Sequence, residues 1–325
     1  MRLTFETCLP KAAVVFGLNA LNGRKIGSYG SAGGVWNSTN AESLMRYTVN
    51  KGYTIHGWEL GGIGTRVAAD QYASDIITLQ AIVDTGFEVK PLVLAPGGFY
   101  NENWFSEFID KTPESLQVVS HHIYNLGPGV DDHLTDKILN PSYLTSGSQP
   151  FSGLQQILQN SASSAVSWVG EAGGAYNSGR NLVTNAFVFS FCALLWHRLM
   201  GSNVLSTSFS GTTKIRAYTH CSKRSQGITV LLINLDGNTT VKVQVSTENA
   251  ASHGALTIQQ QQTQKTKFAR MSRDYKVDGK TREEYHLTAK DGDIHSQTML
   301  LNGEFIWRDS SIRTHKCERT RSYNC

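Results

Sequence analysis

Residues 165–179 read Ala165-Val-Ser-Trp-Val-Gly-Glu171-Ala-Gly-Gly-Ala-Tyr176-Asn-Ser-Gly179, and they carry the clearest structural signal in the chain. An apolar run ends in Gly170-Glu171, and a glycine-rich loop follows it. Such a run is typical of a buried strand in a parallel sheet, with its last residue at the carboxyl end. Barrel enzymes place their catalytic groups at that end. The carboxylate of Glu171 is therefore a candidate catalytic group.

Around this segment, apolar runs alternate with helical stretches as far as Gly201. Strands are predicted over residues 53–60, 89–95, 115–124 and 166–171, and helices over residues 41–50, 67–85, 104–110 and 151–161. In residues 67–85 the apolar positions recur at spacings of three and four, as on a helix with one buried face. This alternation predicts an α/β fold with a parallel sheet.

After Gly201 the sequence has a different texture. Short β-branched segments are separated by turn residues such as Asp236-Gly-Asn238, which is typical of an antiparallel sandwich. These segments cover residues 214–220, 228–234, 240–245, 284–288 and 298–301. The polar residues 259–267 are predicted to form a solvated loop.

Composition sets limits on function. In the 325 residues, 40% are hydrophobic and 17% are charged, which is typical of a folded soluble protein. A net charge of +4 gives no support to nucleic-acid binding, although it would suit an acidic polysaccharide as well as neutral partners. The sequence contains no run of about 20 apolar residues, so no membrane span is predicted. The amino terminus has no apolar core and carries Glu6, so it does not resemble a secretory signal.

Ordered blocks between about Val15 and Gly303 resemble the heparanase-like glycosidases, glycoside hydrolase family 79, and most of all its plant branch. Besides the Glu171 segment, the blocks are Val15-Phe-Gly-Leu-Asn-Ala20, Trp58-Glu-Leu-Gly61, Pro91-Leu-Val-Leu-Ala-Pro-Gly-Gly98, His121-His-Ile-Tyr-Asn-Leu-Gly-Pro-Gly129, Lys214-Ile-Arg-Ala-Tyr-Thr-His-Cys221, Ile228-Thr-Val-Leu-Leu-Ile-Asn-Leu235 and Glu284-Tyr-His-Leu-Thr-Ala-Lys290. The resemblance implies a TIM-type (β/α)8 barrel, incomplete, over residues 1–200. It also implies a β-sandwich domain over residues 201–307 and a divergent basic tail over residues 308–325.

The same resemblance implies roles for individual residues. Glu171 corresponds to the nucleophile of a retaining glycosidase. Tyr176 resembles the tyrosine beside the glucuronate-binding loop, where backbone N–H groups at Asn177 and Ser178 would meet the substrate carboxylate. The family's glycines are replaced at these two positions. Three more side chains, of His121, His122 and Tyr124, lie at a predicted strand end. This position favours contacts with the substrate or hydrogen bonds to Glu171. The alternative is that backbone groups satisfy the two histidines.

Two departures from the family pattern affect the expected activity. The family continues Trp-Glu-Leu-Gly with Asn-Glu, and that second Glu is the acid/base, whereas here Gly61 runs into Gly62-Ile-Gly. Glu59 sits earlier on the strand, and even a two-residue offset along a strand moves a side chain several ångströms, so Glu59 is expected to be a structural carboxylate. A second gap lies at Phe191-Cys192-Ala193, and the beginning is short. The pattern indicates a truncated, internally deleted form that lacks the acid/base.

By resemblance the chain is a heparanase-like endo- or exo-β-glucuronidase with a retaining mechanism and impaired catalysis. Its expected partners are glucuronic-acid-containing polysaccharides or proteoglycan glycans, of which arabinogalactan-type glucuronides fit the plant branch. No cofactor and no nucleic acid are expected, and the oligomeric state is left open. Two alternatives remain, which are a non-catalytic isoform that binds acidic glycans or regulates a relative, and a truncated product without function.

The remaining motifs concern metals, cysteines and processing. A zinc site at His121-His122 is not expected, because adjacent strand residues point to opposite faces. Asp131-Asp132 is predicted to be a solvated turn. The resemblance implies that Cys221 pairs with a cysteine near the carboxyl terminus, for which Cys317 or Cys325 could substitute. Family members are secretory, in the extracellular space, cell wall, lysosome or vacuole, or on membranes, and the glycosylation sequons are Asn37-Ser-Thr39 and Asn238-Thr-Thr240.

Overall fold

The computed structural model describes residues 13–61, 65–177, 179–189, 198–223, 227–247, 255–262 and 283–305. By its contacts the chain divides into two compact units, the first formed by residues 1–125 and 146–173 and the second by residues 126–145 and 174–325. The domain boundary expected near residue 201 stays a prediction. Several predicted features lie outside the described residues, namely the segment after Gly61, the gap at 191–193, the tail 308–325, Ser178, Cys192, Cys317 and Cys325.

Strands and helices alternate along the first half of the chain, and strands dominate the second. In order, the elements are β1 (Val15–Asn19), β2 (Lys25–Ile26), β3 (Ala32–Gly33), α1 (Thr39–Asn50), β4 (Gly57–Gly61), α2 (Ala69–Gly86), β5 (Leu92–Phe99), α3 (Glu102–Lys111), β6 (Val118–Tyr124), α4 (Leu134–Ile138), α5 (Pro141–Ser146), α6 (Gln149–Asn160), β7 (Val166–Gly173), β8 (Met200–Ser210), β9 (Ile215–Ser222), β10 (Ile228–Asn234), β11 (Val241–Thr247), β12 (Ala255–Gln262), β13 (Leu287–Ala289), β14 (Met299–Leu301) and β15 (Glu304–Phe305). Among the described residues, no helix has the length and hydropathy needed to cross a membrane.

The first unit is built on a parallel sheet of five strands in the order β1-β4-β5-β6-β7. One face of this sheet carries the main core, because apolar side chains of β4, β5 and β6 pack there against α2 and α3. In α2 the buried positions recur at spacings of three and four, as the sequence predicts. The core includes Trp58, Leu60, Val93, Ala95, Val119, Ile76, Leu79, Val83, Phe105 and Phe108. The predicted α/β fold with a parallel sheet is confirmed.

Strand β7 lies at one edge of that sheet, and its apolar side chains are partly in contact with solvent. Val166 is 54% exposed, Trp168 37% and Val169 39%. Within the described residues the sheet ends at β7 on one side and at β1 on the other. The apolar run that predicts a fully buried strand therefore forms an edge strand here.

The second unit contains a five-stranded sheet in the order β10-β9-β8-β12-β11 and a three-stranded sheet of β13, β14 and β15. The prediction of purely antiparallel pairing is wrong for one ladder, since β12 pairs with β8 in parallel. Residues 200–210 were not predicted as a strand, because serine, glycine and asparagine dominate them. The predicted loop at 259–267 is also wrong in its first part, because residues 259–262 belong to β12. That strand pairs on both sides, so its backbone hydrogen bonds override its polar composition.

Candidate active site

Three side chains form a row across the carboxyl ends of β5, β6 and β7. Phe99 is in register with His122, and His122 is in register with Glu171. Partners in register on neighbouring strands share one face of a sheet. One extra residue in β5, Gly97, and one in β7, Gly170, interrupt the ladders just before this row. The row therefore depends on two β-bulges, both at glycine.

The bulges decide which face each side chain occupies, because a shift by one residue moves a side chain to the other face. With uninterrupted ladders, both Phe99 and Glu171 would pair with Ile123 and lie on the face that carries the helices. The bulges instead place them beside His122, on the opposite face. Gly97 has a φ of +62°, a backbone conformation that glycine adopts without a steric penalty. Phe99 was not predicted as a site residue, although Pro96-Gly97-Gly98 is a signal for an irregular strand.

Glu171 receives contacts from two side chains of β6. The hydroxyl of Tyr124 donates a hydrogen bond to Glu171 Oε2 at 2.9 Å, and Nδ1 of His122 lies 3.4 Å from the same oxygen. The hydrogen bond to the carboxylate raises the pKa of the Tyr124 phenol, so this hydroxyl stays protonated as a donor. The Glu171 side chain is 53% exposed, so one carboxylate is both held and accessible.

His121 lies on the other face of β6, as the alternation of strand side chains requires. It is buried, Nδ1 is 3.2 Å from the carbonyl oxygen of Trp168, and its ring meets Phe151 edge to face at 5.5 Å. Burial lowers the pKa of His121, the hydrogen bond to Trp168 opposes this, and the charge of His122 lowers it further. Of the two readings for the histidines, contact with Glu171 applies to His122, and a backbone partner applies to His121.

Glu59 is a hydrogen-bonded carboxylate on β4, as the sequence predicts. Its Oε1 accepts a hydrogen bond from the hydroxyl of Ser120. Glu59 is in register with Leu94, Leu94 with Val118, and Val118 with Val166. Val166 lies five residues before Glu171 on β7, so the two carboxylates occupy different levels of the sheet. The Glu59 carboxylate also lies close to Gly97 and Gly170, the two bulge residues. The sequence did not indicate Ser120, the group that holds it.

Tyr176 and Asn177 belong to the second unit. The backbone N–H of Tyr176 donates to the carbonyl of Gly127 at 3.0 Å, and its carbonyl accepts from Gly129 at 2.8 Å, so the loop runs parallel to residues 127–129. Asn177 has a φ of +53°, in the left-handed region. Asparagine tolerates this conformation better than most residues, because its short polar side chain can hydrogen-bond locally. The replacement of a glycine here is therefore compatible with a left-handed loop.

The predicted solvated turn at Asp131-Asp132 is wrong for Asp131, whose carboxylate is paired and largely shielded, whereas the Asp132 side chain is paired but 81% exposed. Lys137 donates to Asp131, which lowers the pKa of Asp131 and raises that of the lysine, and the Asp131 side chain is only 19% exposed. Arg180 donates to Asp132. Arg180 lies 48 residues from Asp132, so local composition could not indicate that pair, whereas Lys137 is only six residues from Asp131. The pairs tie the loop after Gly129 to its own unit.

The remaining predicted sites lie on loops and in β9. Asn37 and Asn238 are both exposed, so each sequon is accessible. Cys221 is buried in β9 and carries a free thiol among the described residues. No group of three or more potential metal ligands is found in the described part of the chain.

Comparison with known proteins gives consistent matches. Residues 6–196 match the family described as Glycosyl hydrolase family 79, N-terminal domain. Heparanase-like protein 3 of Arabidopsis thaliana is 47% identical over 348 aligned positions, covering 90% of this chain and 64% of that protein. Heparanase-like protein 2 of the same plant is 40% identical, with 90% and 65% covered. Baicalin-beta-D-glucuronidase of Scutellaria baicalensis is 34% identical, with 91% and 63% covered. The chain thus spans less than two thirds of the length of each of these relatives.

Proposed function

The chain belongs to glycosyl hydrolase family 79, as a plant heparanase-like member, and on that premise we propose that it is a retaining glycosidase of the β-glucuronidase type. The observation that carries the proposal is the environment of Glu171. This carboxylate stands exposed at the carboxyl end of a parallel strand and accepts a hydrogen bond from Tyr124. Catalytic groups of barrel enzymes occupy that position.

In this proposal Glu171 is the nucleophile. Its carboxylate attacks the anomeric carbon and forms a covalent glycosyl-enzyme, which water then hydrolyses. Tyr124 and His122 hold the attacking oxygen in place. The backbone N–H groups at Asn177 and Ser178, beside Tyr176, receive the glucuronate carboxylate, and the left-handed backbone of Asn177 is compatible with this role.

The acid/base carboxyl is missing in this proposal, so catalysis is impaired. A retaining glycosidase needs a second carboxyl group about 5–5.5 Å from the first. General acid–base catalysis contributes typically about 10²–10⁴-fold, and both steps of the reaction would lose it. The hydrogen bond of Glu59 to Ser120 supports a structural role for that carboxylate.

The proposed architecture is an incomplete (β/α)8 barrel followed by a C-terminal β-sandwich. Two observations support the first part. The parallel sheet of the first unit has five strands that neighbour one another in chain order, apart from the short β2 and β3. The alignment with the Arabidopsis relative also runs over 348 positions, more than the 325 residues of this chain, so the relative has residues that this chain lacks.

The proposed substrates are glycans that contain glucuronic acid, with arabinogalactan-type glucuronides as the plant example. The relative from Scutellaria baicalensis is named a β-D-glucuronidase, which supports a β-glucuronide. A secretory location is proposed from the family, and the exposed sequons at Asn37 and Asn238 would then carry glycans. Pairing of Cys221 with Cys317 or Cys325 belongs to the same proposal, and disulfide mapping by mass spectrometry tests it.

The second candidate function is binding of acidic glycans without turnover, and loss of the acid/base is the observation that favours it. Equilibrium binding to glucuronate-containing glycans, with no product released, would support this alternative. An inert product would show neither binding nor a cooperative thermal transition.

The test of the glycosidase proposal is the intact mass of the chain after incubation with a 2-fluoro-glucuronide that carries an activated leaving group. This reagent glycosylates a nucleophile without an acid catalyst. We expect a single adduct that maps to Glu171 and is absent in Glu171→Gln. An adduct elsewhere, or none on a chain that melts cooperatively, overturns the proposal.

A further inference from the structure

We propose that Phe99 is the platform on which an aromatic leaving group stacks, so that it determines specificity for aryl β-glucuronides. This inference rests on the proposed function, because it takes Glu171 as the nucleophile. It concerns the group next to the sugar that Glu171 attacks, and it assigns a side chain that neither the sequence motifs nor the family match indicates.

Phe99 lies on the same face of the sheet as the proposed nucleophile. The bulge at Gly97 turns Phe99 onto the face that carries His122 and Glu171, and the register puts all three in one row. Neighbouring strands are about 4.8 Å apart, so Phe99 lies two strand spacings, or roughly 10 Å, from Glu171 along the row. One sugar ring on Glu171 fills about half of that span. The group attached to the sugar can then reach Phe99.

The ring of Phe99 is accessible to solvent. Phe99 is 58% exposed, although it is a large apolar side chain on the central strand of the five-stranded sheet. Its ring meets Tyr124 edge to face, with centroids 6.1 Å apart and an interplanar angle of 87°. Tyr124 also donates to Glu171, so a single side chain fixes both the aromatic ring and the nucleophile. The structure thus holds an accessible aromatic ring at a defined distance from the nucleophile.

A site without a general acid favours a leaving group that is stable as an anion. Glu171 forms a bond to the anomeric carbon while the bond from that carbon to the leaving oxygen breaks, and the electron pair stays on that oxygen. No proton reaches it in this step, so the leaving anion must be stable by itself. A phenol has a pKa of about 10, close to that of tyrosine, whereas water has 15.7. Phenolates therefore leave far more readily than alkoxides, and a phenolic leaving group is the one that an aromatic platform binds.

The experiment compares two reagents that differ only in the leaving group, namely 2-deoxy-2-fluoro-glucuronyl fluoride and the 2,4-dinitrophenyl 2-deoxy-2-fluoro-glucuronide. The second-order rate constant for labelling Glu171 is measured by intact mass for the full chain, Phe99→Ala and Phe99→Tyr. We expect Phe99→Ala to lower the constant for the dinitrophenyl reagent about three- to tenfold, as loss of one aromatic contact predicts. The constant for the fluoride should change less than twofold, and Phe99→Tyr should restore the first constant.

The control is Tyr47→Ala, which removes another exposed aromatic side chain in an edge-to-face pair, on helix α1. It should leave both constants unchanged. Equal slowing of both reagents by Phe99→Ala overturns the platform, because Phe99 then acts only by positioning Tyr124. No effect on either reagent also overturns it, while the proposed function stands. Absence of labelling by both reagents in the unaltered chain overturns the proposed function, and the platform with it.

Discussion

At the scale of single residues, adjacent side chains of β6 serve opposite sides of the sheet. His122 and Tyr124 meet the Glu171 carboxylate, while His121 is buried toward α6. The alternation of side chains along a strand explains this division, and it could be predicted from the sequence. Which histidine contacts Glu171 could not be predicted, because it depends on which residue of β7 stands opposite.

The hydrogen bond from Tyr124 to Glu171 is open to a direct test with Tyr124→Phe. This change removes the donor and keeps the ring that contacts Phe99. Hydrogen bonds to charged groups contribute about 1.5–3 kcal/mol, so we expect the rate constant for labelling Glu171 by a 2-fluoro-glucuronide to fall at least about tenfold. Tyr47→Phe, on the surface of α1, serves as the control and should label at the unaltered rate. A labelling rate in Tyr124→Phe within twofold of the unaltered one would contradict the assigned role of this hydroxyl.

At the scale of elements, the candidate site depends on two irregular strands. β5 and β7 each contain one extra glycine before their carboxyl ends, and these bulges bring Phe99 and Glu171 to the face of His122. Bulges recur next to active sites because they change the direction in which a side chain points. The existence of these strands followed from apolar runs, but their register did not, since no local pattern specifies where a ladder slips.

The bulge in β5 predicts different outcomes for two neighbouring glycines. Gly97 has a positive φ, and an added Cβ would lie 2.9 Å from Glu59 Oε1, whereas a Cβ at Gly98 meets nothing within 4 Å. We expect Gly97→Ala to lower the free energy of unfolding by about 1–2 kcal/mol, the cost of a left-handed backbone for a residue with a Cβ. Gly98→Ala, the matched control, should change it by less than about 0.5 kcal/mol. Urea titration followed by tryptophan fluorescence measures the free energy of unfolding of both variants. Equal effects would contradict the prediction that a side chain at position 97, but not at position 98, strains the bulge.

At the scale of the whole molecule, the chain combines a family-79 N-terminal domain, built on a parallel sheet, with a mostly antiparallel second unit. It spans less than two thirds of the length of the Arabidopsis relative. The first unit nevertheless has a continuous core between the sheet and its helices. Protonation of a group buried in this unit should therefore lower the free energy of unfolding of the whole unit. His121 is that group, because it sits among the core elements and its pKa is lowered by burial.

We expect the free energy of unfolding of the first unit to depend on pH through His121. The folded pKa lies below the unfolded value of about 6.5, so the unfolded state binds more protons between the two values. The stability that neutral His121 contributes is therefore fully present above about pH 6.5 and is lost as the pH falls through the folded pKa. Urea titrations at several pH values should show this decline, and His121→Phe should remove it. His133→Asn, which changes an exposed histidine, should keep it. The same decline in His121→Phe would exclude His121 as its source.

The α/β class, the family and the candidate carboxylate Glu171 follow from the amino-acid sequence, because apolar periodicity and ordered motifs are local properties of the chain. The folded structure was needed to show that Phe99 joins His122 and Glu171, that Ser120 holds Glu59 and that Lys137 pairs with Asp131. The parallel ladder between β8 and β12 likewise emerges only in the folded structure. The physical reason is register. Which residues share a face depends on where each ladder slips, and a slip of one residue exchanges every side chain between the two faces.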